Sequence, residues 1–265
     1  MSKLLQLTDI DKILVDPITK EHLLFKEKYL LNQISGGKFP FIGNIKSPLL
    51  FPQEILPYCN DSNLDWIGLI NTKVPLNQYI GISYIKWNGG AHNSSPDEEC
   101  YKKYLNDFET LVADAKGMLL DIGCDDPQNT ILRFPDHVDY LGIDPLYYLP
   151  SPSFKIFAVS EFLPFTNNTF DCVCFGTSLD HTFDPYTALM EAARVLKQNG
   201  ILYLSTLVWS KNAELYKDNV HFHHFRESHI LELIDPKQFS IKKLFKSSWK
   251  NDLHREGMFL KAVRL

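Results

Sequence analysis

Two patterns of hydrophobic and polar positions divide the chain near residue 99. Before it, short apolar stretches are interrupted by Gly and Pro, as in 39–43, which is typical of β-hairpins. After it, apolar runs alternate with segments of helical periodicity. The patterns predict a small β-rich N-terminal module over 1–58, a linker or lid region over 59–98, and an α/β domain over 99–265.

The α/β domain is predicted to alternate strands with helices. Apolar runs predict strands at Met118–Ile122, Val138–Ile143, Phe154–Val159, Phe170–Phe175 and Ile201–Val208. Helical spacing predicts a helix from Tyr101 that ends near Lys116-Gly117, and helices at Asp184–Gln198 and around Glu227–Leu233. In the second of these, Asp184 is a candidate N-cap before Pro185, and Gly200 follows the expected end. The predicted buried stripe of this helix comprises Tyr186, Leu189, Met190, Ala193 and Leu196.

Strands that are apolar on both faces and separated by helices form mostly parallel sheets covered on both sides. Two further strands, Phe239–Phe245 and Met258–Val263, are joined by the polar stretch 246–257, which predicts no helix. Without a crossover helix they should form an antiparallel hairpin at one edge of the sheet. The predicted fold class is therefore a doubly wound, mostly parallel α/β sheet of the Rossmann-like type.

Composition narrows the classes of protein that fit. The chain has 265 residues, 45% of them hydrophobic, which supplies a real core. Its 27 Lys and Arg against 32 Asp and Glu give a mildly acidic balance, so nucleic acid held mainly by charge is not expected. Five cysteines, an odd number without a C-x-x-C pair, predict reduced thiols and a cytoplasmic protein. No apolar run approaches the ~20 residues of a membrane helix. Composition leaves a homodimer open.

The candidate ligand site follows the first two strands of this domain. In such sheets ligands bind beyond the carboxyl ends of the strands. Asp144 ends the second strand, 23 residues after Asp121 in the first. A carboxylate there can accept two hydrogen bonds from a ribose diol. Gly123, just after the first strand, lets the backbone approach a ligand closely.

Four motifs in this region resemble the class I S-adenosylmethionine-dependent methyltransferases, in particular the subgroup that acts on small molecules. They are L-L-D-I-G-C at 119–124, G-I-D at 142–144, E-F-L-P-F-T-N-N-T-F-D at 161–171, and D-P-Y-T-A-L-M-E-A-A-R-V-L-K-Q-N-G at 184–200. The resemblance spans roughly 99–210 and continues more loosely to the C-terminus. It implies a seven-stranded sheet whose last strand is antiparallel, in agreement with the predicted hairpin.

The resemblance also implies which residues hold S-adenosylmethionine. Asp144 would bind the ribose hydroxyls, with Pro145 beside the adenine. The remaining implied contacts are Asp121, Gly123 and Cys124 along the methionine part, Ser160 and Glu161 at the adenine ring, and Thr177 beneath the sulfonium.

The first turn departs from the family's G-x-G-x-G pattern. Only Gly123 remains, because Asp125 and Pro127 occupy the other two positions. Asp tolerates a left-handed backbone better than most residues, so Asp125 is expected to preserve the turn. Two extra carboxylates, those of Asp125 and Asp126, are expected to weaken binding of a cofactor that carries a carboxylate itself.

The candidate catalytic groups are Asp180 and His181, which follow the fourth strand where relatives often place a His facing the methyl donor. His181 is predicted to act as the base or to orient the acceptor, with Asp180 beside it; the alternative is that His181 only packs or caps the turn. The cluster His221-Phe-His-His-Phe-Arg226 lines the acceptor pocket or is structural. No acid or Cys stands near it at a recognisable ligand spacing, so no metal site is predicted.

The N-terminal segment resembles a small β-domain that accompanies some methyltransferases and binds zinc through cysteines. Asp16 stands where the first of those cysteines would be, and no Cys precedes Cys59. The resemblance therefore implies a module without zinc that is held by packing alone. Its implied role is to cover the acceptor site or to bind a partner.

The leading functional hypothesis is methyl transfer from S-adenosylmethionine to oxygen or nitrogen of a small-molecule acceptor, such as a sugar or a lipid-linked precursor. One alternative is a catalytically silent binding or regulatory protein with the same fold. Another is a nicotinamide oxidoreductase, which the missing G-x-G-x-x-G disfavours. No basic stripe with interleaved aromatic residues supports an RNA substrate.

Overall fold

A computed structural model describes residues 3–59, 64–88, 99–127, 132–146, 153–210, 221–248 and 254–265. The strands are β1 Lys3–Leu4, β2 Leu23–Phe25, β3 Tyr29–Asn32, β4 Lys38–Ile42, β5 Ser47–Pro48, β6 Met118–Ile122, β7 Asp139–Asp144, β8 Ile156–Phe157, β9 Phe170–Gly176, β10 Leu196–Trp209, β11 Phe239–Ser248 and β12 Arg255–Arg264. The helices are α1 Leu7–Ile10, α2 Trp66–Ile70, α3 Pro75–Asn88, α4 Glu99–Val112, α5 Pro185–Val195 and α6 Glu227–Leu233.

The main sheet has the order β1-β7-β6-β9-β10-β12-β11, and β8 also pairs with β7. Within this sheet, β1, β6, β7, β8, β9 and β10 pair with one another in parallel. Strand β12 is antiparallel to both β10 and β11. The predicted fold class and the terminal hairpin at the sheet edge are confirmed. A second, antiparallel sheet contains β2, β3, β4 and β5.

The N-terminal segment is joined to the main sheet. Lys3 and Leu4 pair with β7, and the Leu50 N–H donates to the Phe157 carbonyl at the other end of the segment. Leu5, Ile10 and Leu14 are buried in the same apolar core as the strands of the main sheet. The sequence did not predict strand β1. The domain divisions at 58 and 98 stay a prediction.

Asp16 forms a hydrogen-bonded centre in this segment. Its Oδ1 accepts from the Ile18 and Thr19 N–H groups, and its Oδ2 accepts from Asn32 Nδ2 at 2.8 Å. Asp16 and Asn32 are both buried, so these bonds tie a turn to β3 away from water. The expectation that packing alone holds the segment is therefore incomplete.

Helix α5 begins as predicted and ends earlier. The Asp184 side chain accepts from the Tyr186 and Thr187 N–H groups, which confirms the N-cap. The predicted end at Gln198 is wrong, because Leu196 already pairs with Phe170 as the first residue of β10. The buried stripe is partly wrong as well, since Tyr186 is 49% exposed.

The predicted strand Phe154–Val159 is much shorter in the structure. Only Ile156 and Phe157 have partners, at the very end of β7, so β8 is two residues long. None of the helices in the described ranges combines the length and apolar character that crossing a bilayer requires.

Candidate active site

The turn after β6 depends on two left-handed residues. Gly123 has φ +81° and Asp125 has φ +51°, as predicted for Asp125. A Cβ on Gly123 would collide with the Ser178 side chain, so only glycine fits there. The N–H groups of Gly123 and Cys124 both donate to the Ile143 carbonyl, at 2.9 and 3.1 Å. The turn is thus fixed against the end of β7.

The Asp144 carboxylate lies at that strand end. Its Oδ2 accepts from the Asp125 N–H at 2.9 Å and its Oδ1 from the Leu146 N–H at 2.7 Å. The side chain is 5% exposed, and burial raises its pKa, an effect that the charge of Lys155 opposes. Each carboxylate oxygen retains a further lone pair, so the held group can still accept from two hydroxyls.

Lys155 is a site residue that the sequence analysis missed. Its Nζ donates to the Asp125 carbonyl at 2.5 Å, and the residue is buried. Its positive charge therefore lies among the acids of the turn and partly offsets the charge that Asp125 adds. The available signal was a lysine inside the otherwise apolar run 154–159.

Asp121 and Cys124 lie in the core beneath the turn. Asp121 Oδ2 accepts from the Tyr140 hydroxyl at 2.7 Å, and burial raises the pKa of this carboxyl to about 7. Burial also raises the pKa of the Cys124 thiol, which packs against Gly142. Both side chains are buried, whereas Gly123 and Pro145 are half-buried. Their implied contacts with the cofactor stay predictions.

Glu161 bridges two segments of the site. Its Oε1 accepts from the N–H groups of Phe183 and Asp184, at 2.6 and 3.0 Å, and its Oε2 accepts from the Ser160 hydroxyl. Burial raises the pKa of this carboxyl, while these hydrogen bonds lower it. Glu161 thus holds the start of α5, a role that the implied adenine contact did not include.

The end of β9 is tied to its neighbouring strands. Thr177 adopts φ +59°, its N–H donates to the Ser205 carbonyl at 2.8 Å, and its side chain is exposed. The Ser178 hydroxyl donates to the Ile122 carbonyl. These contacts place the segment that carries Asp180 and His181 directly beside the Gly123 turn.

Asp180, His181 and His221 come together at this edge. The rings of His181 and His221 are 4.8 Å apart between centroids, and His221 Nε2 lies 3.7 Å from Asp180 Oδ2. The Asp180 carbonyl accepts from the N–H groups of Phe222 and His223, which fixes the histidine segment in place. Sequence spacing could not predict this meeting, because His221 follows a different strand.

Helix α3 supplies a further group that the sequence analysis missed. The Tyr79 ring packs 5.4 Å from Phe183 and 4.7 Å from Phe222. Burial raises the pKa of Tyr79, and the nearby charges of Glu161, Asp180 and Asp144 add to the rise. Tyr79 is therefore near both the predicted cofactor residues and the predicted catalytic Asp180.

Comparisons with known proteins agree with this geometry. Residues 148–204, about a fifth of the chain, match the sequence model of the methyltransferase domain family. This part of the chain is therefore similar in sequence to that family. No protein of curated function matches the sequence.

Solved structures share the fold of a large part of this chain. One is 1,6-didemethyltoxoflavin-N1-methyltransferase of Burkholderia thailandensis, solved with 1,6-didemethyltoxoflavin and S-adenosylhomocysteine: TM-score 0.57, 13% identity, 73% of this chain and 91% of that chain covered. A second is an S-adenosylmethionine-dependent methyltransferase of Leishmania major, with TM-score 0.55 and 15% identity; the match covers 75% of this chain and 89% of that chain. A third is the 4+2 cyclase SpnF, with TM-score 0.51 and 16% identity; the match covers 72% of this chain and 94% of that chain.

Proposed function

We propose that the domain transfers the methyl group of S-adenosylmethionine to oxygen or nitrogen of a small-molecule acceptor. The observation that carries this proposal is the buried Asp144 carboxylate, held by two backbone N–H groups beside the left-handed Gly123 turn. Asp144 binds the ribose hydroxyls, and Gly123 lets the methionine part approach the backbone.

The reaction is an in-line displacement at carbon. The acceptor lone pair forms the new bond to the methyl carbon while the bond from that carbon to sulfur breaks, and sulfur keeps the electron pair. A hydroxyl or amine acceptor must also lose a proton. His181 is the base for that proton in this proposal, because it lies beside Asp180 at the end of β9.

The acceptor binds under α3. Tyr79, Phe183 and Phe222 form an aromatic wall next to the histidine cluster, which suits a small compound with an apolar face and a hydroxyl or amine group. The Burkholderia enzyme of similar fold is named for methylation of a small heterocycle, which supports an acceptor of this size. The sugar and lipid-linked acceptors of the sequence analysis fall within the same class.

A second candidate, a silent protein of the same fold, is favoured by Asp125. Its carboxylate replaces a glycine beside the position proposed for the carboxylate of the cofactor, and repulsion there weakens binding. The cyclase SpnF illustrates that this fold alone does not determine the reaction.

Calorimetric titration separates these candidates. We expect S-adenosylmethionine and S-adenosylhomocysteine to bind and NAD not to bind. Asp144→Asn should weaken adenosyl binding by about 10–100-fold, because one acceptor of the ribose hydroxyls becomes a donor. Asp139→Asn, in the same strand but half-exposed, is the matched control and should bind normally. No binding of either adenosyl compound would favour the silent protein, and equal affinity in both variants would refute the ribose assignment.

A further inference from the structure

Three potential metal ligands meet after β9. Asp180, His181 and His221 each bring one ligand atom to within 4.8 Å of the other two. Asp180 and His181 belong to the 3₁₀ helix Leu179–His181, and His221 belongs to the segment between β10 and α6. Sequence spacing gave no sign of this set, because its members come from two distant segments.

The Asp180 carboxylate lacks a full set of partners. The residue is 2% exposed, and within the described part of the chain its Oδ1 accepts no hydrogen bond. A buried carboxylate oxygen without a donor is costly, and a cation is one of the few partners that satisfy it. This oxygen is an observation independent of the clustering of the histidines.

We propose that Asp180, His181 and His221 bind one divalent transition-metal ion of the zinc type. Two imidazoles and one carboxylate are the ligand set of many catalytic zinc sites, which keep a fourth position open for water or substrate. Ligand atoms about 2.1 Å from a tetrahedral ion lie about 3.4 Å apart. Asp180 Oδ2 and His221 Nε2 are 3.7 Å apart, so this pair is already near the required spacing.

The backbone holds the two ligand segments together. The Asp180 carbonyl accepts from the N–H groups of Phe222 and His223, at 3.1 and 3.0 Å. His223 Nε2 lies 2.9 Å from the Thr182 carbonyl, which links the same two segments a second time. Ligands fixed in this way lose little freedom when they bind an ion.

The metal site changes the role of His181. With the ion bound, its ring nitrogen is a ligand, and an oxygen bound at the open position becomes more acidic. None of the three ligands is among the residues assigned to S-adenosylmethionine. The metal proposal therefore does not depend on cofactor binding.

The test uses the full chain, purified without a metal-affinity tag, stripped with a chelator and dialysed against Zn²⁺. We expect one equivalent of zinc by elemental analysis. His221→Gln and Asp180→Asn should each weaken binding by at least about tenfold. His22→Gln and His229→Gln are matched controls, since both histidines are exposed and lie outside the cluster, and they should bind like the unmodified chain. Co²⁺ should give an intense visible spectrum that is lost with His221→Gln.

No stoichiometric zinc, or zinc that binds equally to His221→Gln and to the controls, would overturn the proposal. Circular dichroism checks each variant, and if Asp180→Asn does not fold, the half-buried His221→Gln decides alone. Titration with S-adenosylhomocysteine on the same samples distinguishes a failed metal site from a failed cofactor site.

Discussion

Asp121 shows how one buried carboxyl group couples this fold to pH. Its side chain is 1% exposed; burial raises its pKa to about 7, the Tyr140 hydrogen bond lowers it, and Asp144 raises it. In the unfolded chain the pKa of Asp is about 3.9. The folded chain therefore binds more protons between these values, so stability is lost as pH rises from about 4 to about 7.

Asp121→Asn should remove this pH dependence. The amide oxygen can still accept from the Tyr140 hydroxyl, while the titrating group is gone. Relative to the unmodified chain, the variant should gain up to about 4 kcal/mol in free energy of unfolding between acidic and mildly alkaline pH. Urea denaturation across that range measures the gain, with Asp139→Asn as the control. Parallel stability curves for Asp121→Asn and the unmodified chain would contradict the assignment.

The sequence reveals some residues of the candidate site and not others. Asp144 and the left-handed Asp125 follow from strand ends and turn chemistry, which are local. Lys155 and Tyr79 were missed because their partners lie on other segments of the chain. A side chain whose role depends on a distant backbone group leaves no periodic signal.

A single side chain fixes the backbone at the start of α5. Glu161 accepts from two backbone N–H groups there and from the Ser160 hydroxyl. Gln can reproduce these bonds, because its oxygen can face the N–H groups and its nitrogen can donate to Ser160. Ala leaves all three donors without this acceptor.

Glu161→Ala should therefore lower the free energy of unfolding by about 2–4 kcal/mol, and Glu161→Gln by about 1 kcal/mol or less. Chemical denaturation measures both, with the exposed Glu109→Gln as the control. If Gln were as damaging as Ala, the negative charge rather than hydrogen bonding would be the essential property.

The elements that the sequence predicted are those with long apolar patterns. β6, β7, β9 and β10 were found, as was the terminal hairpin. β1 has two residues, too few to carry a pattern, and α5 ends early because strand pairing of Leu196 overrides its helical spacing. Tertiary pairing therefore decided what local patterns could not.

The N-terminal segment and the main sheet share one apolar core. Ile10 is fully buried within it, and Leu5 donates its N–H to the Tyr140 carbonyl in β7. Segments that share a core in this way are expected to unfold together.

Calorimetry should accordingly show a single unfolding transition. Ile10→Ala should destabilise the entire chain by about 2–4 kcal/mol without splitting that transition. Ile34→Ala is the matched control, because Ile34 is 77% exposed, and it should change little. Two transitions, one of them untouched by Ile10→Ala, would show instead that the N-terminal segment folds on its own.

A crystal structure of the chain with S-adenosylhomocysteine tests the proposed cofactor site most directly. We expect both ribose hydroxyls within hydrogen-bond distance of the Asp144 carboxylate and the amino-acid part of the ligand against the Gly123 turn. Ligand density elsewhere, or no density at saturating ligand with the turn unchanged, would contradict it.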